Sequence, residues 1–328
     1  MTKVLVLGSN SFSGASFCAW LLARGIDVIG ASRSPEPHAL FLPYRWKDMT
    51  GRFTFHQIDL NHDMDRLDRL MREERTSVVV NFAAQSMVGE SWQHPEHWMT
   101  TNVVALVGLQ ERLRHLDFLD KYVHVTTPEV YGSTDGWIDE DRPFHPSTPY
   151  AVSRAAGDMS LRTYVEAYGL PAVFTRAANV YGPGQQLYRI IPRTVLCLLT
   201  GRRLQLHGGG VSTRSFIHID DVCAATWCIA QHAAAGQAFH ISTRSVISIR
   251  AVVEMLCARL SIPFDAAVEL ADERLGKDTA YWLDSSRLRQ LGWNDQIDLD
   301  EGLARYTAWA REHLSTLREL PAQYVHRP

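Results

Sequence analysis

Short apolar runs alternate with stretches of helical spacing along the first half of the chain. Lys3–Leu7 is apolar after its lysine, and Asp27–Ala31, Phe53–Ile58, Ser77–Phe82, Lys121–Thr126 and Pro171–Arg176 repeat the pattern. Between the first two runs, Ala15–Arg24 carries helical spacing and Gly25 closes it. Strands buried on both faces read as continuous apolar runs, and helices between them supply the crossovers of a parallel sheet. The chain is therefore expected to be α/β, with a Rossmann-type doubly wound parallel sheet. After about residue 180 the texture changes to turn-rich pieces, Tyr181-Gly-Pro-Gly184 and Gly208-Gly-Gly210, and then to shorter mixed elements. The expected division is a larger sheet region over residues 1–178 and 213–242, interleaved with a smaller α/β region over 179–212 and 243–328.

Composition narrows the function classes. The 328 residues are 46% hydrophobic and 21% charged, values of an ordinary globular chain. With 33 Lys+Arg against 36 Asp+Glu the formal charge is −3, and no basic run offers nucleic acid a footprint. No apolar stretch reaches the ~20 residues that span a bilayer, so no membrane partner is expected. The amino terminus has no small-residue cleavage site of a secretory leader. The five cysteines (Cys18, Cys197, Cys223, Cys228, Cys257) are odd in number and sit among apolar residues. Buried thiols in a reducing cytoplasm fit that pattern better than disulfides. No residue spacing marks a metal site, and His207 and His218 read as structural.

Gly8-Ser-Asn-Ser-Phe-Ser-Gly14 joins the first strand to the first helix. Glycine is needed where backbone N–H groups approach a pyrophosphate at a helix N-terminus. Ser11 stands where a middle glycine often sits. The plain alternative is a strand-to-helix turn. The second strand ends at Ala31-Ser-Arg-Ser34, with no acid for a ribose 2′-hydroxyl. Arg33 and its serines instead offer donors to a 2′-phosphate, which favours NADP over NAD, unless Arg33 is only a solvated surface residue. Asp59 and Leu60, after the third strand, would meet the adenine; the alternative for Asp59 is a helix N-cap.

Three segments carry candidate chemistry: Asn81-Phe-Ala-Ala84, Thr126-Thr-Pro-Glu-Val-Tyr-Gly132 and Tyr150-Ala-Val-Ser-Arg154. Thr148 and Pro149 read as N-cap and first helical residue, so Tyr150 and Arg154 share one face at i,i+4. A hydroxyl, a carboxylate, a phenol and a cation thus gather at the carboxyl ends of parallel strands, where open α/β sheets bind ligands. Oxidising an alcohol by hydride transfer needs a base for the hydroxyl proton. A phenol with an ordinary pKa of ~10 is a poor base at neutral pH, and a nearby cation favours its ionised form. Arg154 supplies the cation and Thr127 a hydrogen bond to the substrate oxygen. The alternative is an amphipathic helix pair.

As a set these motifs resemble the extended short-chain dehydrogenases/reductases that act on nucleotide sugars. The carriers also include Thr101-Asn-Val103, Arg176-Ala-Ala-Asn-Val-Tyr-Gly-Pro183, Arg214, His218-Ile-Asp-Asp221 and Leu291-Gly-Trp293. Ala83-Ala-Gln-Ser-Met-Val-Gly89 is similar to GDP-mannose 4,6-dehydratases, and Asp139-Glu-Asp-Arg-Pro143 to these and to dTDP-glucose 4,6-dehydratases. The resemblance implies a dehydratase of a nucleotide-diphosphate hexose. Tyr150 assists oxidation at C4, Glu129 removes the C5 proton, water leaves C6, and the hydride returns there. It places Gly8, Ser11, Phe12, Gly14, Arg33, Asp59, Leu60, Ala83, Tyr150 and Arg154 at the cofactor. It places Ser86, Asn179, Arg214 and Arg274 at the substrate. It also implies a homodimer paired through Ala105–Arg114 and Ala156–Tyr168.

Two departures from the family pattern stand out. Pro128 replaces the aspartate with which the dTDP-glucose enzymes protonate the leaving hydroxyl. Arg154 replaces the family lysine, keeping the charge but not the shape. They leave open a C4 epimerase, a UDP-glucuronate decarboxylase, or a catalytically silent dinucleotide sensor.

Overall fold

A computed structural model describes residues 3–47, 49–272 and 280–327. Seven parallel strands form the central sheet: β1 (Lys3–Leu7), β2 (Asp27–Ser32), β3 (Phe53–Gln57), β4 (Val78–Asn81), β5 (Lys121–Thr126), β6 (Ala172–Ala177) and β7 (Ala238–Ile241). Their order, β7-β6-β5-β4-β1-β2-β3, reverses at β1, which opens a crevice at the carboxyl ends between β1 and β4. Each strand expected from the apolar runs is present, with ends moved by no more than a residue. Helices α1 (Phe12–Leu22), α2 (Met64–Glu74), α3 (Pro95–Met99), α4 (Leu106–Leu113) and α5 (Pro149–Tyr168) lie on its faces. α1 begins three residues earlier than its spacing suggests, because the Ser11 hydroxyl accepts from Gly14 N and caps the helix.

Apolar side chains cover both sheet faces. Val4, Val6 and Val80 belong to one buried cluster, while Leu5, Leu7 and Val79 belong to another. A third cluster lies outside the sheet, around Val195, Leu206, Val252, Leu256, Leu303 and Tyr306. Residues 282–293 return from that region to the sheet: Leu283, Leu288 and Trp293 join the first cluster, and Trp282–Leu283 pairs with Trp137–Ile138. In packing terms the expected segment 243–328 is therefore split between two cores. Among the described residues no helix is long and apolar enough to cross a membrane.

A polar chain is threaded through the sheet beneath the strand ends. The Asn81 amide donates to Tyr122 Oη at 3.0 Å, and Tyr122 Oη lies 3.3 Å from His124 Nδ1. His124 Nε2 is 3.4 Å from Asp158, whose other oxygen takes a 2.7 Å bond from Arg176. Arg176 also donates to Tyr131 Oη at 3.0 Å, which lies 2.8 Å from His240 Nε2. Burial holds the His124 imidazole below its usual range and the His240 imidazole at about 3. The Asp158 carboxyl sits at about 2: burial opposes ionisation, and Arg176 and His124 outweigh it.

Candidate active site

Two adjoining cavities occupy the crevice. The smaller, about 200 Å³, is lined by Gly8, Ser11, Arg33, Asp59, Leu60 and Ala83, all expected at the cofactor. Gly8 has φ +79°, and a Cβ there would meet Ala83 N at 2.6 Å; a Cβ on Gly14 would meet Gly8 O at 2.2 Å. Both glycines are thus required to bring the loop, the β4 end and α1 this close. Gly14 serves that packing rather than the lining. Asn81 lines neither cavity: its side-chain oxygen accepts from Ala83 N at 2.9 Å and fixes the loop that does. Asp59 does not cap α2, whose N-cap is Asp63; its carboxylate accepts from Asn61 N at 2.9 Å.

The larger cavity, about 780 Å³, is lined by Phe12, Ser86, Thr127, Glu129, Tyr150, Arg154, Asn179 and Arg214. Local chemistry sets each in place. Thr148 caps α5 by accepting from Ala151 N and Pro149 takes its first position, so Tyr150 sits in the first turn and Arg154 follows one turn later. Thr127 caps a short 3₁₀ turn, Pro128–Tyr131, in which Pro128 needs no N–H and Glu129 is presented to the cavity.

The electrostatics differ from the simplest expectation. Arg154 and a hydrogen bond from Thr127 pull the Tyr150 phenol toward ionisation, but burial and the Glu129 charge outweigh them, and it stands above its ordinary value. Arg154 is buried and also donates to the Val125 carbonyl of β5. Arg214 is buried beneath the Tyr281 ring, 4.8 Å from its centroid, and Tyr281 Oη donates to Asn179 at 3.3 Å. Arg274 lies outside the described residues.

Four contributors escape sequence reasoning. Arg189 and Arg193 line the larger cavity from helix α6 (Ile190–Leu199) and the residue before it. Met87, in the loop between β4 and α3, has φ +82° at the cavity wall, a backbone state that non-glycine residues seldom adopt. Finally, the segment 324–327 runs along the rim. Tyr324 packs on Tyr188, with centroids 5.5 Å apart, and the Arg327 carbonyl accepts from Gln85 at 2.7 Å and Arg33 at 3.0 Å. Nothing in so short a segment signals that contact.

The GDP-mannose 4,6 dehydratase family model matches residues 5–306. The chain belongs to that family. It is thereby an extended short-chain dehydrogenase/reductase of the nucleotide-sugar dehydratase type, as its motifs suggested. A dTDP-glucose 4,6-dehydratase of Streptomyces antibioticus is 34% identical over 321 residues, covering 95% of this chain and 93% of that one. The Streptomyces venezuelae dTDP-glucose 4,6-dehydratase, solved with NAD, superposes with a TM-score of 0.89 at 32% identity, covering 96% of this chain and 98% of that chain. A trifunctional UDP-glucose 4,6-dehydratase, epimerase and reductase of Arabidopsis thaliana is 29% identical over 249 residues. That match takes in 75% of this chain but only 37% of the longer protein. For this family the Gly8–Gly14 cradle and the two joined cavities fit a bound NAD(P).

Proposed function

We infer that this chain is a nucleotide-sugar 4,6-dehydratase, converting a nucleotide-diphosphate hexose to its 4-keto-6-deoxy product. The observation that carries the reading is Glu129 beside Tyr150 and Thr127 in one cavity. A C4 epimerisation needs one acid–base group at C4. A second carboxylate has work only when a further proton must be removed. A bound NAD(P) supplies the hydride acceptor and, later, the donor. Tyr150 takes the C4 hydroxyl proton while Thr127 hydrogen-bonds to that oxygen and Arg154 stabilises the phenolate. Glu129 then removes the C5 proton, made acidic by the C4 ketone. Pro128 has no proton to give, so Glu129 passes the C5 proton to the departing C6 hydroxyl, which leaves as water.

Arg214, with Arg189 and Arg193, is suited to the diphosphate, because guanidinium forks bind such oxygens in pairs. Ser86 and Asn179 face the sugar. Arg274 is proposed for the diphosphate on its family motif. We assign the smaller cavity to the adenosine end, with Gly8, Ser11 and Ala83 at the diphosphate bridge, Phe12 next to it in the larger cavity, Gly14 packing the loop from behind, and Asp59 and Leu60 at the adenine. The finer preference is for NADP: Ser32, Arg33 and Ser34 line that cavity, and Asp59 is the one carboxylate among its described lining residues. We propose the division 1–178, 213–242 and 282–293 for the sheet region and 179–212, 243–281 and 294–328 for the smaller one; the packing of Leu283, Leu288 and Trp293 against the sheet supports the change at 282–293. Exposed Met159 and Tyr168 lie within Ala156–Tyr168, one of the two helices expected to pair, which supports a homodimer. The five cysteines are free thiols, in keeping with a reducing cytoplasm.

The test is to incubate the purified protein with a panel of nucleotide hexoses and weigh the products. Loss of one water supports the dehydratase. An unchanged mass with new stereochemistry supports the epimerase, loss of carbon dioxide from a uronate the decarboxylase, and cofactor binding without turnover the sensor.

A further inference from the structure

We propose that His94, Glu96 and His97 form a binding site for a divalent transition-metal ion of the zinc class, braced by His326. His94 Nδ1 lies 3.6 Å from Glu96 Oε1, and His97 Nε2 lies 3.7 Å from the same oxygen. The three ligand atoms all lie within 4.8 Å of one another. A tetrahedral ion with ligands at about 2.0–2.1 Å would set them about 3.3–3.5 Å apart, so closure asks only a small movement. The side chains can make it, because those of His94 and Glu96 are 55% and 65% exposed. Two imidazoles and one carboxylate suit zinc and its neighbours rather than magnesium or calcium.

His-x-Glu-His within a few residues is unremarkable by itself. The fold adds His326, which is 229 residues from His97 in sequence and places Nε2 2.8 Å from His97 Nδ1. That is the ring nitrogen opposite the one facing Glu96. A metal-bound histidine characteristically donates its other N–H to a fixed acceptor. His326 is held for that role: it stacks on Trp98 with centroids 4.9 Å apart, and its Nδ1 lies 3.4 Å from Tyr324 Oη. An ion on His97 Nε2 forces the proton onto Nδ1 and so strengthens the bond to His326. Metal occupancy is thereby linked to the docking of residues 324–327, whose Arg327 carbonyl sits on Arg33 and Gln85 at the rim of the smaller cavity.

The test is calorimetric titration of the untagged full chain with zinc chloride alone. One equivalent should bind. His97→Ala should abolish the saturable event, and Glu96→Gln, on an exposed side chain, repeats that test where folding is not at stake. His326→Ala should weaken binding about 10–100-fold. His115→Ala, an exposed histidine near Glu111 on another helix, should change nothing. Zinc should also slow amide exchange in residues 324–327. Absence of saturable binding, or unaltered binding in both His97→Ala and Glu96→Gln, overturns the site. Unaltered affinity in His326→Ala overturns the brace.

Discussion

The two ends of the crevice are built by different means. The smaller cavity is made of backbone: the β1–α1 turn, the ends of β2 and β3, and the loop after β4, pressed together where two glycines allow it. The larger cavity is made of side chains, gathered from the 3₁₀ turn after β5, the start of α5, the approach to α6 and the strand pairs beyond residue 179. Backbone cradles tolerate change in most side chains and are sensitive to glycine. A side-chain site depends on each group and on the charges that set its protonation. Substitutions should therefore separate the two ends cleanly.

The largest effect is expected at the catalytic end. Glu129→Gln should cut turnover by about a hundred- to ten-thousand-fold, the usual range for a general base. The C4 oxidation survives, so reduced cofactor should accumulate in a single turnover. Normal dehydration by this variant would remove Glu129 from the mechanism.

Next comes the polar chain beneath both ends. Asp158→Ala leaves Arg176 charged and unpaired in the interior, and should lower stability by about 3–5 kcal/mol in urea unfolding. The pH dependence follows from the same groups. Asp158 is held at about 2, below its ordinary ~3.9, so its contribution is present above that ordinary value and lost as pH falls toward 2. His240 is held at about 3, below its ordinary ~6.5, so it too favours the fold at neutral pH and turns against it on acidification. Urea midpoints should thus drop steadily between neutral pH and pH about 4; a flat profile would contradict this.

A smaller effect is expected at the backbone end. Arg33→Ala should narrow the preference for NADP over NAD by about tenfold or more, the worth of one charged hydrogen bond, with turnover at saturating cofactor unchanged. Equal affinities in the parent protein would contradict the 2′-phosphate role.

The finest test is a shift of the pH–rate profile. Burial and Glu129 hold the Tyr150 phenol up while Arg154 pulls it down. Removing the cation in Arg154→Ala should move the ascending limb of the oxidation step, where the phenol ionises, to higher pH. Arg154→Lys should restore activity with a displaced limb. Identical profiles for the parent protein and Arg154→Lys would show that the shape of the cation does not matter.

The same contrast explains what could be read in advance. Strands β1 to β6 and the caps of α5 are local matters: an apolar run, a threonine before a proline, a glycine after a helix. They were legible, and so was the family set around Thr127, Glu129, Tyr150 and Arg154. The chain from Asn81 through Tyr122, His124, Asp158, Arg176 and Tyr131 to His240 was not, because no two of its members announce their contact by spacing. Asn81 illustrates the gap: its motif was grouped with the candidate chemistry, and its side chain instead fixes the loop that lines the cavity. The phenol likewise read as a base eased by Arg154, since only the fold reveals how deeply it and Glu129 are enclosed together. Arg189, Arg193 and the segment 324–327 reach the crevice through tertiary packing alone.

The central claim is that Tyr150 and Glu129 act in sequence on one sugar, and that the hydride taken at C4 returns to C6. The most direct test uses a nucleotide hexose carrying deuterium at C4. The account predicts a product lighter by one water, with that deuterium at C6 and no net change in the cofactor. Deuterium returned to C4 in an isomer of unchanged mass would contradict it.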